Sequence, residues 1–239
     1  MSITLRSRRN SARASLIVSA AVVGALGVGS VLPVREAVAA PEPSLTPIRW
    51  QLDIEPGPLR LTTVNVEGVG PRTFYTMTYK VTNNSGQDLY FAPAFELAVD
   101  EESPIRSGRG VAPATTRDIL AKQGNGSLLD QVSVIGMLRQ GPENSREGLA
   151  IWPAERLRAN EITVYAIGFS GETRRISKPD AKPAEGKPAA SAEKPRAGAR
   201  NPNEVVLRKT LMLNHQAPGD LTGLGDAVIE RTGERWILR

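Results

Sequence analysis

Between Thr73 and Val81 the side chains alternate strictly: Tyr75, Met77, Tyr79 and Val81 fall on one face of an extended chain, and Thr76, Thr78 and Lys80 on the other. A period of two does not form a helical stripe, so the stretch reads as a strand with one buried face. Asn83-Asn84-Ser85-Gly86 follows, residue types that tolerate positive φ and turn a chain. Alternation then resumes, with Leu89, Phe91, Phe95, Leu97 and Val99 on one face against Tyr90, Glu96 and Asp100. The expectation is a β-hairpin. Pro93 lies inside its second strand, cannot donate to a ladder, and marks a bulge or an edge-facing position. Six of the eight Phe and Tyr residues (Phe74, Tyr75, Tyr79, Tyr90, Phe91 and Phe95) lie in this pair. They are expected to supply core rather than a binding platform, because alternating strands bury one face in any case.

Further runs rich in Val, Ile, Thr and Leu, bounded by Gly, Pro and Asn, predict strands at 48–54, 59–66, 131–138, 161–169, 204–213 and 235–238. Thr115 to Ala121 reads as a short helix or another strand. About eight strands with no long amphipathic helix point to an all-β chain, an antiparallel β-sandwich of two sheets. There is no cysteine. The hydrophobic core, not disulfides, must therefore hold the fold together.

One segment departs from this pattern. Residues 178–203 repeat Lys-Pro steps (Lys178-Pro179, Lys182-Pro183, Lys187-Pro188, Lys194-Pro195), are rich in Ala, and contain no aromatic or large aliphatic residue. Such a stretch buries too little apolar area to offset its ordering entropy, so it is expected to be a disordered loop. Strands are predicted on both sides of it. It is therefore read as an enlarged hairpin loop inside one domain spanning 40–239, since long loops add closure cost only slowly.

At the other extreme of hydropathy, Arg6, Arg8, Arg9 and Arg13 precede an uncharged run of 17 residues from Leu16 to Leu32. Pro33 stops any helix, and Ala37-Val38-Ala39 offers the small residues that a signal peptidase reads. Residues 1–39 are thus expected to form a signal peptide with a helical apolar stretch, cut before Ala40, or a signal anchor if the cut is not made. Ser7-Arg8-Arg9 is a fragment of a twin-arginine signal without its usual continuation. Either outcome places the body outside the cytoplasm, in the periplasm, at the cell surface or secreted, and contact with a membrane is expected only if the leader is retained.

The net charge of +5 needs to be located before it is interpreted. The leader carries five arginines against one glutamate, and the 178–203 tract six basic residues against three acidic ones, so the rest is slightly acidic. A nucleic-acid partner loses its main support.

Catalytic constellations are sparse. Without Cys there is no thiol chemistry, and any Ser-His-Asp arrangement must use His215, the sole histidine. His215 is expected as a loop or strand-end residue. Gly168-Phe169-Ser170-Gly171-Glu172 fails the nucleophile-elbow pattern at its last position, and the Ser191-x-x-Lys194 match lies in the low-complexity tract. Asp100-Glu101-Glu102 lacks the alternating oxygen ligands of a calcium loop and reads as a solvated strand end. No phosphate-cradling glycine motif is present. The two sequons, at Asn83 and Asn125, receive no role. No catalytic, cofactor or metal site is expected, and no cofactor.

The stretch Tyr79-Lys80-Val81-Thr82-Asn83-Asn84-Ser85-Gly86-Gln87-Asp88-Leu89, running on to Phe95-Glu96-Leu97, resembles the hairpin of immunoglobulin-like modules in exported bacterial proteins. Ile151-Trp152-Pro153-Ala154-Glu155 looks like the proline-containing turn before a late strand of those modules. The resemblance implies an immunoglobulin-like β-sandwich and, by analogy, a non-catalytic role. The leading expectation is a module that binds another envelope protein or a polysaccharide through sheet edges or loops. Two alternatives stand beside it: a structural, wall-associated protein using the cationic Lys-Pro-Ala tract, and a hydrolase built from carboxylates alone, with Glu96 as one member of the pair. The sequence does not fix the oligomeric state.

Overall fold

The computed structural model describes residues 41–178 and 204–239, which belong to one compact unit. The leader and all but the first residue of the Lys-Pro-Ala tract lie outside the described residues, as do Ser191 and Lys194. The chain is mostly β, and its main sheet has ten strands curled into a half-barrel. Two long strands, β1 (Asp53–Val66) and β2 (Gly70–Thr82), form the central hairpin. The turn between them uses Gly68 and Gly70 at φ 73° and 93°, values that suit only glycine. On the far side of β2 lies β8 (Arg146–Pro153), antiparallel, with the short β6 (Leu128–Leu129) parallel to it. In the other direction β1 meets β12 (Val228–Leu238), then come β11 (Glu204–Asp220), β9 (Arg158–Ile167), β4 (Ala94–Val99) and β5 (Ile105–Arg106). The five-pair register of β10 (Thr173–Ser177) against β11 ends at Ser177↔Glu204. A separate pair joins β3 (Leu89–Phe91) to β7 (Gly136–Leu138).

The seam between β1 and β12 consists of two register pairs, Leu59↔Ile229 and Arg60↔Val228. Through it the two-sheet expectation becomes one continuous sheet folded over on itself. A bulge between Pro56 and Leu59 helps the curl, and Gly57 there leaves no room for a Cβ against the Thr78 backbone. The two halves share a core. Tyr79 of β2 meets Phe95 of β4 at 4.5 Å between ring centroids, and Phe169 sits edge-on to Phe91 and Phe95 at 5.3 and 5.6 Å. The inward residues of β2 and of the 89–99 stretch are those that alternation singled out. Tyr90 is the exception among the six aromatics, pointing outward at 67% exposure.

The hairpin expected between 73–81 and 89–99 does not form. Strand β2 is bound on both edges by β1 and β8, which share twelve and eight register pairs with it, so no edge is left for its successor. Pro93 splits the successor into β3 and β4, which join different partners. The 131–138 run keeps only three residues as strand β7, because Asp130 turns the chain ahead of it. The 48–54 run is not one strand: its middle pairs with residues 169–171 through the isolated bridge Gln51↔Ser170, with Leu52 N–H bonded to Phe169 O (2.8 Å) and Gly171 N–H to Trp50 O (2.9 Å), and only Asp53 and Ile54 belong to β1.

Helix α1 (Pro113–Gln123) settles the ambiguity at 115–121. Proline at its first turn and Gly124 in the left-handed region bound it. Its buried Ile119 packs with Phe74, Leu149 and Ile151 on the outer face of β2 and β8, which is why that face also carries apolar residues.

Candidate functional site

Asp130 builds the first part of the site. Its Oδ1 accepts the N–H groups of Val132 (2.7 Å) and Ser133 (2.8 Å), and its Oδ2 the Ser133 hydroxyl (3.0 Å). Burial works against the charge, but these donors outweigh it and hold the carboxyl below the usual aspartate range. The turn so fixed buries Val134 and turns Val132 and Ile135 outward, Val132 to 70% exposure. From below, the Arg146 guanidinium donates to Val134 O (2.8 Å) and to Met137 O, and the Asn83 amide donates to Leu138 O (2.8 Å). The segment is therefore pinned by polar contacts while it presents apolar side chains to water.

Register then extends the surface. Met137 of β7 stands opposite Tyr90 of β3, both exposed. Val132 and Ile135 also form the lip of a cleft of about 220 Å³, whose floor includes Tyr79, Phe95 and Leu149, with Arg106 and Gln131 as polar wall. Tyr79 is 3% exposed, and its hydroxyl makes no hydrogen bond among the described residues. Desolvation pushes its pKa up, so it stays a neutral donor and acceptor. Gly148, the register partner of Tyr79, makes room for the ring: a Cβ there would run into it. The cleft thus combines an apolar lip with one tyrosine hydroxyl that has no protein partner among the described residues.

The residues considered from sequence lie elsewhere. His215 is neither in a loop nor at a strand end, since β11 continues to Asp220; it is buried on the inner face at a bulge beside Asn214. Burial lowers its pKa to about 4, opposed by backbone hydrogen bonding at Ile162 and helped by the charge of Arg231. Its Nδ1 has no partner. Glu96 is held by Arg239 at 2.6 Å, which in turn stacks on Tyr165. Asp100, at φ 49°, accepts the N–H groups of Asn160 (2.9 Å) and Glu161 (3.0 Å) and so ties its turn to β9. Asn83 is buried and its amide donates to Gln87 O and Leu138 O, a structural role that leaves no access for a glycan. Ser170 Oγ accepts the Glu172 N–H. Among the described residues no three His, Asp or Glu side chains converge as metal ligands.

A second polar arrangement escaped the sequence entirely. Lys209 of β11 and Glu172 are both buried, 3.2 Å apart. The backbone of Ser44 closes over them: its N–H donates to Glu172 Oε1 (2.9 Å), and Lys209 Nζ donates to Ser44 O (3.0 Å). Desolvation acts to raise the Glu172 pKa, yet the Ser44 N–H and the Lys209 ammonium prevail and lower it. Trp236 lies 5.5 Å from Lys209 Nζ. No pattern of spacing links residues 44, 172 and 209, so only the fold brings them together.

Comparison with protein-family models, with curated proteins and with solved structures gives no match for this chain.

Proposed function

We propose that the chain is an exported, non-catalytic β module that binds an extended segment of another envelope protein through the surface formed by Tyr90, Val132, Ile135 and Met137. The observation that carries this reading is the way those side chains are held: hydrogen bonds accepted by Asp130 and donated by Arg146 and Asn83 fix a backbone whose apolar residues face water, with Val132 and Ile135 lining a cleft. Exposed apolar residues on a slack loop need no explanation, whereas a rigidly supported cluster at a cleft is characteristic of an interaction surface. In this reading one partner side chain enters the cleft beside the Tyr79 hydroxyl, and β3 and β7, which pair only with each other among the described residues, offer their outer edges to the partner backbone.

Export rests on the basic and then apolar pattern of residues 1–39. The immunoglobulin-like kinship belongs to the same reading, with the two halves of the curled sheet as the two layers of a sandwich. The non-catalytic part of this reading is supported by the lining of the cleft, which consists of aromatic, aliphatic and amide groups with one arginine and one serine.

The test is a photo-crosslinking amino acid at position 137 in the producing cell. A discrete adduct with an envelope protein, lost when Val132 and Ile135 are both changed to Ser, is the expected result. Equal adducts from position 137 and from Thr63 on the opposite hairpin, or hydrolysis of a glycoside or ester that disappears in Glu96→Gln, would overturn the reading.

A further inference from the structure

Resting on the docking surface proposed above, we infer that the partner residue seated in the Tyr79 cleft is a glutamate, held by the Arg106 guanidinium, the Tyr79 hydroxyl and the Gln131 amide. The polar side chains of the cleft offer donors that nothing yet accepts. Tyr79 is 3% exposed, lies on the floor, and its hydroxyl has no partner among the described residues. Desolvation keeps the phenol protonated, so its proton is available to a ligand. The Gln131 amide is seated against Gly108, where a Cβ would run into it. Ser107 Oγ lies 3.5 Å from Gln131 Oε1, and no described residue accepts from Nε2.

Arg106 supplies the charge. Its register partner across β4 and β5 is Glu96, the counter-ion that a sheet ordinarily provides. That carboxylate is instead 2.6 Å from Arg239, whose guanidinium lies 4.1 Å from the centre of the Tyr165 ring. Arg106 is left without an ion pair among the described residues. No Asp or Glu among the described residues lines the cleft, and the adjacent Asp130 uses both of its oxygens within its own turn.

A cation beside two unused donors, with no resident acid, matches a group that only accepts, and the ionised carboxylate is the side chain of that kind. Glutamate also suits the walls, since its two methylenes can lie along the rings of Phe95 and Tyr79 while the carboxylate meets the polar side. A wholly apolar anchor would shut the Tyr79 and Gln131 donors away from water unpaired, which costs affinity. Charge complementarity therefore selects an acidic anchor from among the side chains that an extended segment could present.

NMR titration of the intact chain with three acetylated peptides tests this: Thr-Val-Glu-Val-Thr amide, the same peptide with Gln at its centre, and Thr-Val-Gln ending in a free carboxylate. The Glu peptide is expected to bind at least about tenfold more tightly than the Gln peptide and to move the Gln131 side-chain amide. Arg106→Gln should cut that preference to about twofold or less, and Tyr79→Phe should weaken the Glu peptide by about threefold, both with thermal stability retained. In the producing cell, Arg106→Glu should abolish the adduct formed from position 137, whereas Arg109→Glu, at a residue that does not line the cleft, should leave it. Equal affinity for the Glu and Gln peptides, an intact preference in Arg106→Gln, tighter binding of the terminal acid, or no binding of the Glu peptide at about ten millimolar would each overturn the proposal. An adduct that survives Arg106→Glu removes the glutamate anchor and leaves the docking surface standing. A wild type that gives no adduct removes the surface, and the titration still decides what the cleft prefers.

Discussion

Ser107 and Ile151 hold the two ends of the curled sheet together. The Ile151 N–H donates to Ser107 Oγ (2.9 Å), the Ser107 hydroxyl lies 3.3 Å from Ile151 O, and Ser107 N–H donates to Phe95 O (2.8 Å). Gly108 N–H adds a bond to Ile151 O (2.8 Å). One serine thus spans from β4 to β8, on the side of the half-barrel opposite the β1–β12 seam. Ser107→Ala leaves the Ile151 N–H without its acceptor in a buried strand, and is expected to cost about 1–3 kcal/mol in urea denaturation. Ser107→Thr, which keeps the oxygen, should recover most of that loss; equal stability of wild type and Ser107→Ala would show that the clip contributes nothing.

Lys209→Met should be among the most destabilising single changes. It strands the buried Glu172 carboxylate, for which removal of one partner typically costs about 3–5 kcal/mol. The double variant Glu172→Met with Lys209→Met leaves no charge to compensate and is expected to return close to wild type. Since the Glu172 pKa is lowered on folding, its contribution is present above the ordinary glutamate pKa and fades as pH falls through the folded value. Additive losses in the double variant would refute the coupling.

His215 gives a separate acid response. Its pKa drops from 6.5 unfolded to about 4 folded, so between these values the unfolded chain binds more protons. Stability from this group is full above pH 6.5, falls as pH decreases, and levels off below pH 4. From pH 7 to pH 5 the loss is about 2 kcal/mol. A His215→Leu variant should show a correspondingly flatter profile over that interval, and an unchanged slope would remove the histidine from the account.

Three neighbours in one turn should behave oppositely. Val132→Ser and Ile135→Ser replace exposed side chains and are each expected to change stability by no more than about 0.5 kcal/mol, while together they abolish the partner adduct. Val134→Ala, at a fully buried position between them, should cost about 1–3 kcal/mol. Thermal and urea unfolding of the three variants checks the contrast.

Much of the core was legible before the fold was known. Tyr75, Met77, Tyr79 and Val81, and then Phe91, Phe95 and Leu97, all face inward as their alternation required, because burial of one face depends only on local periodicity. Which strands become neighbours depends on what else competes for an edge. Periodicity alone pairs the 73–81 strand with its successor, although the glycine turn at 68–70 offers the closer partner and Pro93 interrupts the other. The site was harder still. Val132, Ile135 and Met137 read as part of a strand, and their exposure follows from Asp130 accepting two backbone N–H groups, which hydropathy does not encode. Lys209 and Glu172 looked like ordinary charged residues, and Arg106 like any solvated arginine.

Ser177 and Glu204 stand opposite each other at the end of the β10–β11 ladder, so the chain leaves the body and returns to it at adjacent points. A junction between two paired strands accepts an insert at a closure cost that grows only slowly with the insert's length. A reporter domain with neighbouring termini spliced there should ride on the module without altering the sheet, which makes this junction the natural port for labelling the protein in living cells.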